Sequence, residues 1–184
     1  MTYLFLAEGF EDIEALATGD ILRRASIPVA MVSVTGQRVV KSAHGVAVTA
    51  DALFESVEPE LASAQMLILP GGLPGSTNLA AHEGLCRAIT AHAKAGGMLA
   101  AICAAPLVFG RLGLLEGRTA TCYPGVEGEL KGAATTGALV HGDGIIITGK
   151  GPAAAFAFAY ALVDAIKGEG AHQPLAEGML YTQL

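Results

Sequence analysis

A chain of 184 residues, 52% hydrophobic and 15% charged, can bury one core without disulfide or metal staples, and a single domain over 1–184 is expected. The net charge of −6, with no basic run and no aromatic residues interleaved with basic ones, argues against a nucleic-acid partner. No apolar run reaches the roughly 18 residues that a membrane-spanning helix requires, so no membrane partner is expected either.

Residues 3–7 form a short apolar run that ends in Glu8-Gly9, and Ile13, Leu16, Ile21 and Leu22 then recur at roughly helical spacing up to Arg23-Arg24. This reads as strand, turn, helix. Residues 28–34 predict a second strand, 39–40 and 46–48 a small hairpin-like excursion around polar 41–45, and Asp51 begins a weak helical or irregular link. Residues 65–69 predict a third, buried strand, stopped by Pro70-Gly71-Gly72-Leu73-Pro74-Gly75, after which 78–95 carry Leu79, Leu85 and Ile89 on one amphipathic helix. On that pattern His82 and His92 fall on the exposed side. Residues 98–102 are the fourth strand and 106–112 its helix, with further short strands expected at 118–121 and 144–148. Gly151-Pro152 opens the last long helix, to about Lys167, and 168–184 read as a polar, irregular tail. Strands alternating with helices imply right-handed crossovers and a mostly parallel sheet covered on both faces. The fold class is therefore α/β, a three-layer flavodoxin-like sandwich.

Ligands in such a sheet sit beyond the carboxyl ends of the strands, where this chain places its unusual loops. Cys103 follows the fourth strand and precedes a helix opened by Pro106, so it projects from the sheet edge beside the positive end of a helix dipole. There a thiolate is favoured, and a Cys103 pKa well below the free-thiol value is expected. Glu11 and Asp12 read as complements to a helix start. Glu14, one turn in, could point to the crevice floor, either as a protonated donor to the thiolate or as a proton shuttle. The backbone N–H groups of Gly71, Gly72 and Ala104 could hold a developing oxyanion. The five histidines show no ligand spacing, so no metal and no cofactor are expected, and Cys86 and Cys122 read as packing residues. Three cysteines in no C-x-x-C pair, and an N-terminal 1–6 without a basic region or cleavage site, point to free thiols in the cytoplasm.

Ala7-Glu8-Gly9-Phe10-Glu11-Asp12-Ile13-Glu14, Leu69-Pro70-Gly71-Gly72, Ala100-Ala101-Ile102-Cys103-Ala104-Ala105-Pro106 and Thr148-Gly149-Lys150-Gly151-Pro152 together resemble the ThiJ/PfpI superfamily. The resemblance is closest to the branch of the parkinsonism-associated protein (DJ-one) and the YajL-type proteins, and it covers nearly the whole chain. It implies a class I glutamine-amidotransferase-like fold, a homodimer, and an elbow thiolate at Cys103 of low pKa, touched by a protonated Glu14. It also implies a backbone pocket made by Gly71, Gly72 and Ala104. Two positions depart from the pattern. The protease-like members carry His directly after the elbow cysteine, where this chain has Ala104, and Tyr123 stands where many members have a later His. A tyrosine hydroxyl is a poor base near neutral pH. His44, in a segment that meets the partner subunit in the family, is the other accessory candidate, one that would enter the neighbouring site across the dimer interface.

The resemblance thus implies a cysteine-dependent stress protein acting without cofactor on small reactive carbonyls or glycated proteins, of glyoxalase III or deglycase type. The alternative is a non-enzymatic redox sensor or chaperone that uses oxidation of the same cysteine. A protease or thiazole-biosynthesis role is the weaker expectation.

Overall fold

The computed structural model describes residues 1–181. Strand β1 (Thr2–Leu6) is buried along its whole length and lies near the middle of a seven-stranded sheet. From it the chain passes through α1 (Asp12–Arg24), β2 (Val29–Ser33), the hairpin β3 (Val39–Lys41) and β4 (Ala47–Thr49), β5 (Ala52–Leu53) and the single turn α2 (Phe54–Val57). A six-residue 3-10 stretch leads into β6 (Met66–Leu69), α3 (Gly75–Ala81), α4 (Glu83–Lys94), β7 (Met98–Ile102) and α5 (Pro106–Arg111). The remainder comprises β8 (Thr119–Ala120), β9 (Ala134–Thr135), β10 (Val140–Asp143), β11 (Ile146–Gly149), α6 (Ala155–Lys167) and α7 (Gln173–Gly178).

The strand order is β10-β11-β7-β6-β1-β2-β5, parallel except at β10–β11. Helices α1 and α6 pack on each other, while α3 packs on α4 and α5. This is the expected three-layer sandwich, and small residues such as Ala100 and Ala101 in β7 let the layers approach closely. The carboxyl ends of β1, β6 and β7 meet at one edge, which positions the site.

Several elements differ from the sequence expectation. The expected helix over 78–95 is two helices broken at His82, whose Nδ1 accepts the Leu85 N–H at 3.0 Å and so starts α4 as a cap. Strand β8 lies outside the main sheet, paired in parallel with β9. Edge strand β10 was not expected, because His141, Gly142 and Asp143 do not read as a strand. Gly151-Pro152 opens a 3-10 turn before α6, and the expected irregular tail contains α7; residues 182–184 of that tail lie outside the described residues. Ile13 and Leu16, part of the helical pattern of α1, are 51% and 40% exposed, because the buried face of that helix is instead Glu14, Ala15, Thr18, Gly19, Ile21 and Leu22. Among the described residues no helix is long and apolar enough to cross a membrane.

His92 is buried rather than exposed, its Nε2 3.2 Å from the Met98 carbonyl and its Nδ1 without a partner. Burial pushes its pKa down. The unfolded chain therefore takes up a proton below about pH 6.5 that the folded chain refuses, and stability falls as pH drops through that value. Urea unfolding at pH 8 and pH 5.5 is expected to show a smaller drop for His92→Leu than for the native chain; an equal drop would show that other groups carry the acid sensitivity.

Candidate functional site

β7 ends at Ile102 and α5 starts at Pro106, leaving Cys103 to make the turn. It does so at φ 65°, a left-handed conformation that costs a side-chain-bearing residue roughly 1–2 kcal/mol. Two backbone hydrogen bonds hold it there: its N–H donates to the Gly149 carbonyl at 2.9 Å, and its carbonyl accepts the Tyr123 N–H at 2.8 Å. Strain maintained by surrounding bonds at a side-chain-bearing residue makes this turn a candidate functional site.

Glu14 reaches the same place from α1. Glu11 caps that helix by accepting the Glu14 N–H at 2.8 Å, and the following turn directs the Glu14 side chain into the interior, where the residue is wholly buried. Its Oε2 accepts the Gly71 N–H at 2.7 Å, while its Oε1 is buried without a hydrogen-bond partner. The loop after β6 closes over the pair so tightly that a Cβ on Gly71 would lie 2.5 Å from the Cys103 Cβ and 2.6 Å from Glu14 Oε2. Gly72, at φ 87°, would place a Cβ 2.6 Å from the Glu11 nitrogen. Both glycines are required for this close approach.

The expected donors divide into two roles. The Gly71 N–H is committed to Glu14, so it is not the oxyanion donor that the sequence suggested. The N–H groups of Gly72 and Ala104 are the ones that favour the charged form of the Cys103 sulfur.

Electrostatics also correct one expectation. Burial, followed by the charge of Glu14, pushes the Cys103 thiol up to about 12, and the Gly72 and Ala104 N–H groups oppose this only in part. The helix start is outweighed because the sulfur has lost most of its water. Burial likewise pushes Glu14 up to about 7, the Gly71 hydrogen bond opposing it and the Glu11 charge adding to it. Two neighbouring acids in so dry a place resist ionising together, so the first proton of the pair leaves near neutrality and the second is held far more tightly. Near pH 7 the singly ionised pair is a Glu14 carboxylate beside a neutral thiol, a base next to the proton it would take.

The model of the DJ-1/PfpI family matches residues 2–165. The chain belongs to the DJ-1/PfpI family. It is 31% identical over 179 residues to Protein dj-1beta of Drosophila melanogaster, covering 96% of this chain and 95% of that one. It is also 31% identical over 167 residues to the glutathione-independent glyoxalase DJR-1.2 of Caenorhabditis elegans, covering 88% and 85% respectively. Among solved structures, oxidized DJ-1 of Toxoplasma gondii superposes with a TM-score of 0.93 at 31% identity, over 97% of both chains. With the parallel sheet above, these matches establish the flavodoxin-like, class I glutamine-amidotransferase-like fold, and the chain is DJ-1-type.

Within this DJ-1-type scaffold the two accessory candidates fall apart. Tyr123 is tied to Cys103 through its backbone N–H, but its side chain is 49% exposed and its ring lies over Gly151. His44 sits instead on Asp12 at the start of α1, Nδ1 to Oδ2 at 2.6 Å, and that hydrogen bond raises its pKa. The other Asp12 oxygen accepts the Ser42 hydroxyl, so within the chain the pair ties the β3–β4 hairpin to α1. Glu11, Asp12 and His44 bring potential metal-ligand atoms within 4.8 Å of one another, a grouping that spacing along the chain did not suggest; Asp12 already has both oxygens engaged. Cys122 is buried and Cys86 half-buried, as packing residues are. The residue that sequence reasoning left without a role is Gly149, whose carbonyl holds the Cys103 N–H; it lies in the quoted Thr148-Gly149-Lys150-Gly151-Pro152 block, which was the available signal.

Proposed function

We propose that this chain is a cofactor-independent, glyoxalase III or deglycase-type enzyme in which Cys103 and Glu14 process a small reactive aldehyde. The observation that carries this reading is the buried pair itself: a carboxyl poised at about 7 against a thiol on a strained elbow. A base of that strength is half ionised near neutral pH and accepts a proton without a cofactor. The likeness to a relative named a glutathione-independent glyoxalase supports the substrate class.

In the proposed reaction the Cys103 sulfur forms a bond to the aldehyde carbon of methylglyoxal while its proton passes to Glu14. The carbonyl electron pair moves onto oxygen, held by the Gly72 and Ala104 N–H groups. Glu14 returns a proton to that oxygen to give a hemithioacetal. It then moves the C1 proton to C2, and the C1 hydroxyl proton passes to the C2 oxygen, so that the aldehyde carbon becomes a thioester carbonyl and the ketone an alcohol. Water releases lactate and restores the thiol. The sum is methylglyoxal plus water to lactate, with the oxidation at C1 balanced by the reduction at C2. A glycated protein would enter by the same attack on its carbonyl.

We further propose a single domain that works in the cytoplasm as a homodimer. Ile13 and Leu16 on α1 and Val39 and Val46 on the hairpin are exposed apolar residues of two elements tied together through Asp12, and a second copy covering them would remove that surface from water. The test of the activity is stoichiometric conversion of methylglyoxal to lactate without glutathione or added metal. Loss of methylglyoxal that does not depend on Cys103 would remove the enzymatic reading.

One observation favours a second reading, a redox sensor or chaperone. The Gly72 and Ala104 N–H groups aimed at sulfur would also hold the oxygens of a Cys103 sulfinate formed by a peroxide. Mass spectrometry of Cys103 after graded peroxide exposure, in a chain that fails the lactate assay, would select this reading.

A further inference from the structure

The backbone that clamps Cys103 continues on both sides into the walls of a second feature. Beyond Tyr123, whose N–H holds the Cys103 carbonyl, comes Pro124; beyond Gly149, whose carbonyl holds the Cys103 N–H, come Lys150, Gly151 and Pro152. The Lys150 N–H in turn donates to the Leu139 carbonyl at 2.9 Å, which brings Leu139 to the same place. Tyr123, Pro124, Leu139 and Pro152 line one hollow there, almost wholly apolar. Among the described residues its one charged lining residue is Lys150, whose Nζ donates to the Gly137 carbonyl at 3.1 Å. Leu139 is 60% exposed and Tyr123 49% exposed, so two large apolar side chains stand open to water next to the backbone that clamps Cys103. A neighbouring hollow that shares Lys150 and Pro124 is lined by Thr121, Glu127, Thr135 and Thr136 and offers polar surface instead.

We propose that the hollow of Tyr123, Leu139 and Pro152 receives the carbon substituent of the electrophile that Cys103 attacks, so that the site prefers α-oxoaldehydes bearing an aromatic or branched group over methylglyoxal. The substrate class rests on the thiol-aldehyde reading above. A methyl group leaves the tyrosine, leucine and proline surfaces wet, whereas a phenyl ring covers them. Apolar pockets discriminate by about tenfold or more per well-buried group.

Two measurements test this. The kcat/KM for phenylglyoxal is expected to exceed that for methylglyoxal by about tenfold, and the double variant Tyr123→Ala, Leu139→Ser is expected to bring the ratio near one. Leu139→Ser alone is expected to lower the ratio by less than the double variant does. Independently of turnover, the rate of Cys103 alkylation by N-benzyliodoacetamide relative to iodoacetamide, each divided by its rate with N-acetylcysteine, is expected to be about tenfold and to collapse in the double variant. A corrected ratio of one in the native chain, or one unchanged by the double variant, overturns the subsite and leaves the aldehyde reading standing. Absent aldehyde turnover with the benzyl preference intact overturns the aldehyde reading and leaves the apolar subsite of Cys103 standing.

Discussion

Cys103→Ser is expected to abolish lactate formation from methylglyoxal, lowering kcat by on the order of 10³-fold or more. Serine fits the same turn and preserves the backbone clamp to Gly149 and Tyr123, so the folded chain is expected to persist and circular dichroism to match the native protein. What changes is proton affinity. Glu14 at about 7 is closer in proton affinity to a thiol, even one pushed up to about 12, than to an alkyl hydroxyl, so serine is less readily activated by this pair. The Gly72 and Ala104 donors remain, but they have no adduct oxygen to stabilise. Turnover within about tenfold of native in Cys103→Ser would mean that the elbow is not the nucleophile.

Glu14→Gln is expected to lower turnover by roughly 10²- to 10⁴-fold, the usual contribution of a positioned acid-base group. In the native chain kcat/KM is expected to rise with pH through about 7, because the carboxylate form must be present to take the thiol proton, and in Glu14→Gln this limb disappears. The same substitution removes the negative charge that is the second cause, after burial, of the raised Cys103 pKa. Iodoacetamide is therefore expected to label Cys103 at lower pH in Glu14→Gln than in the native chain. A more readily ionised nucleophile with lost turnover would separate proton transfer from support. If labelling and turnover fall together, Glu14 is a packing partner, and the proton transfers pass to water.

How far the sequence carried this account depends on the range over which each feature is determined. The elbow was legible because strand, small residues and Pro106 are local signals within ten residues of Cys103. Glu14 was legible through its offset from the helix start. The assignment of Gly71 to Glu14 rather than to an oxyanion was not, since it depends on a hydrogen bond spanning 57 residues. The direction of the Cys103 shift was misjudged for a related reason: helix-start stabilisation can be read along the chain, whereas loss of water depends on β1, β6 and α1 closing around the sulfur. His82 was hidden inside a continuous apolar period that does not reveal a side chain capping the next helix. Ile13 and Leu16 fit a helical period yet face outward, because period alone does not say which face a sheet will cover.

The left-handed backbone at Cys103 sets the interests of the fold against those of the chemistry at a single residue. Glycine there would relieve roughly 1–2 kcal/mol of steric cost, offset by roughly 0.5–1 kcal/mol of added freedom in the unfolded chain. By that balance the molecule tolerates a side chain at this turn rather than gaining backbone stability from it, and the least strained version of this elbow would carry glycine.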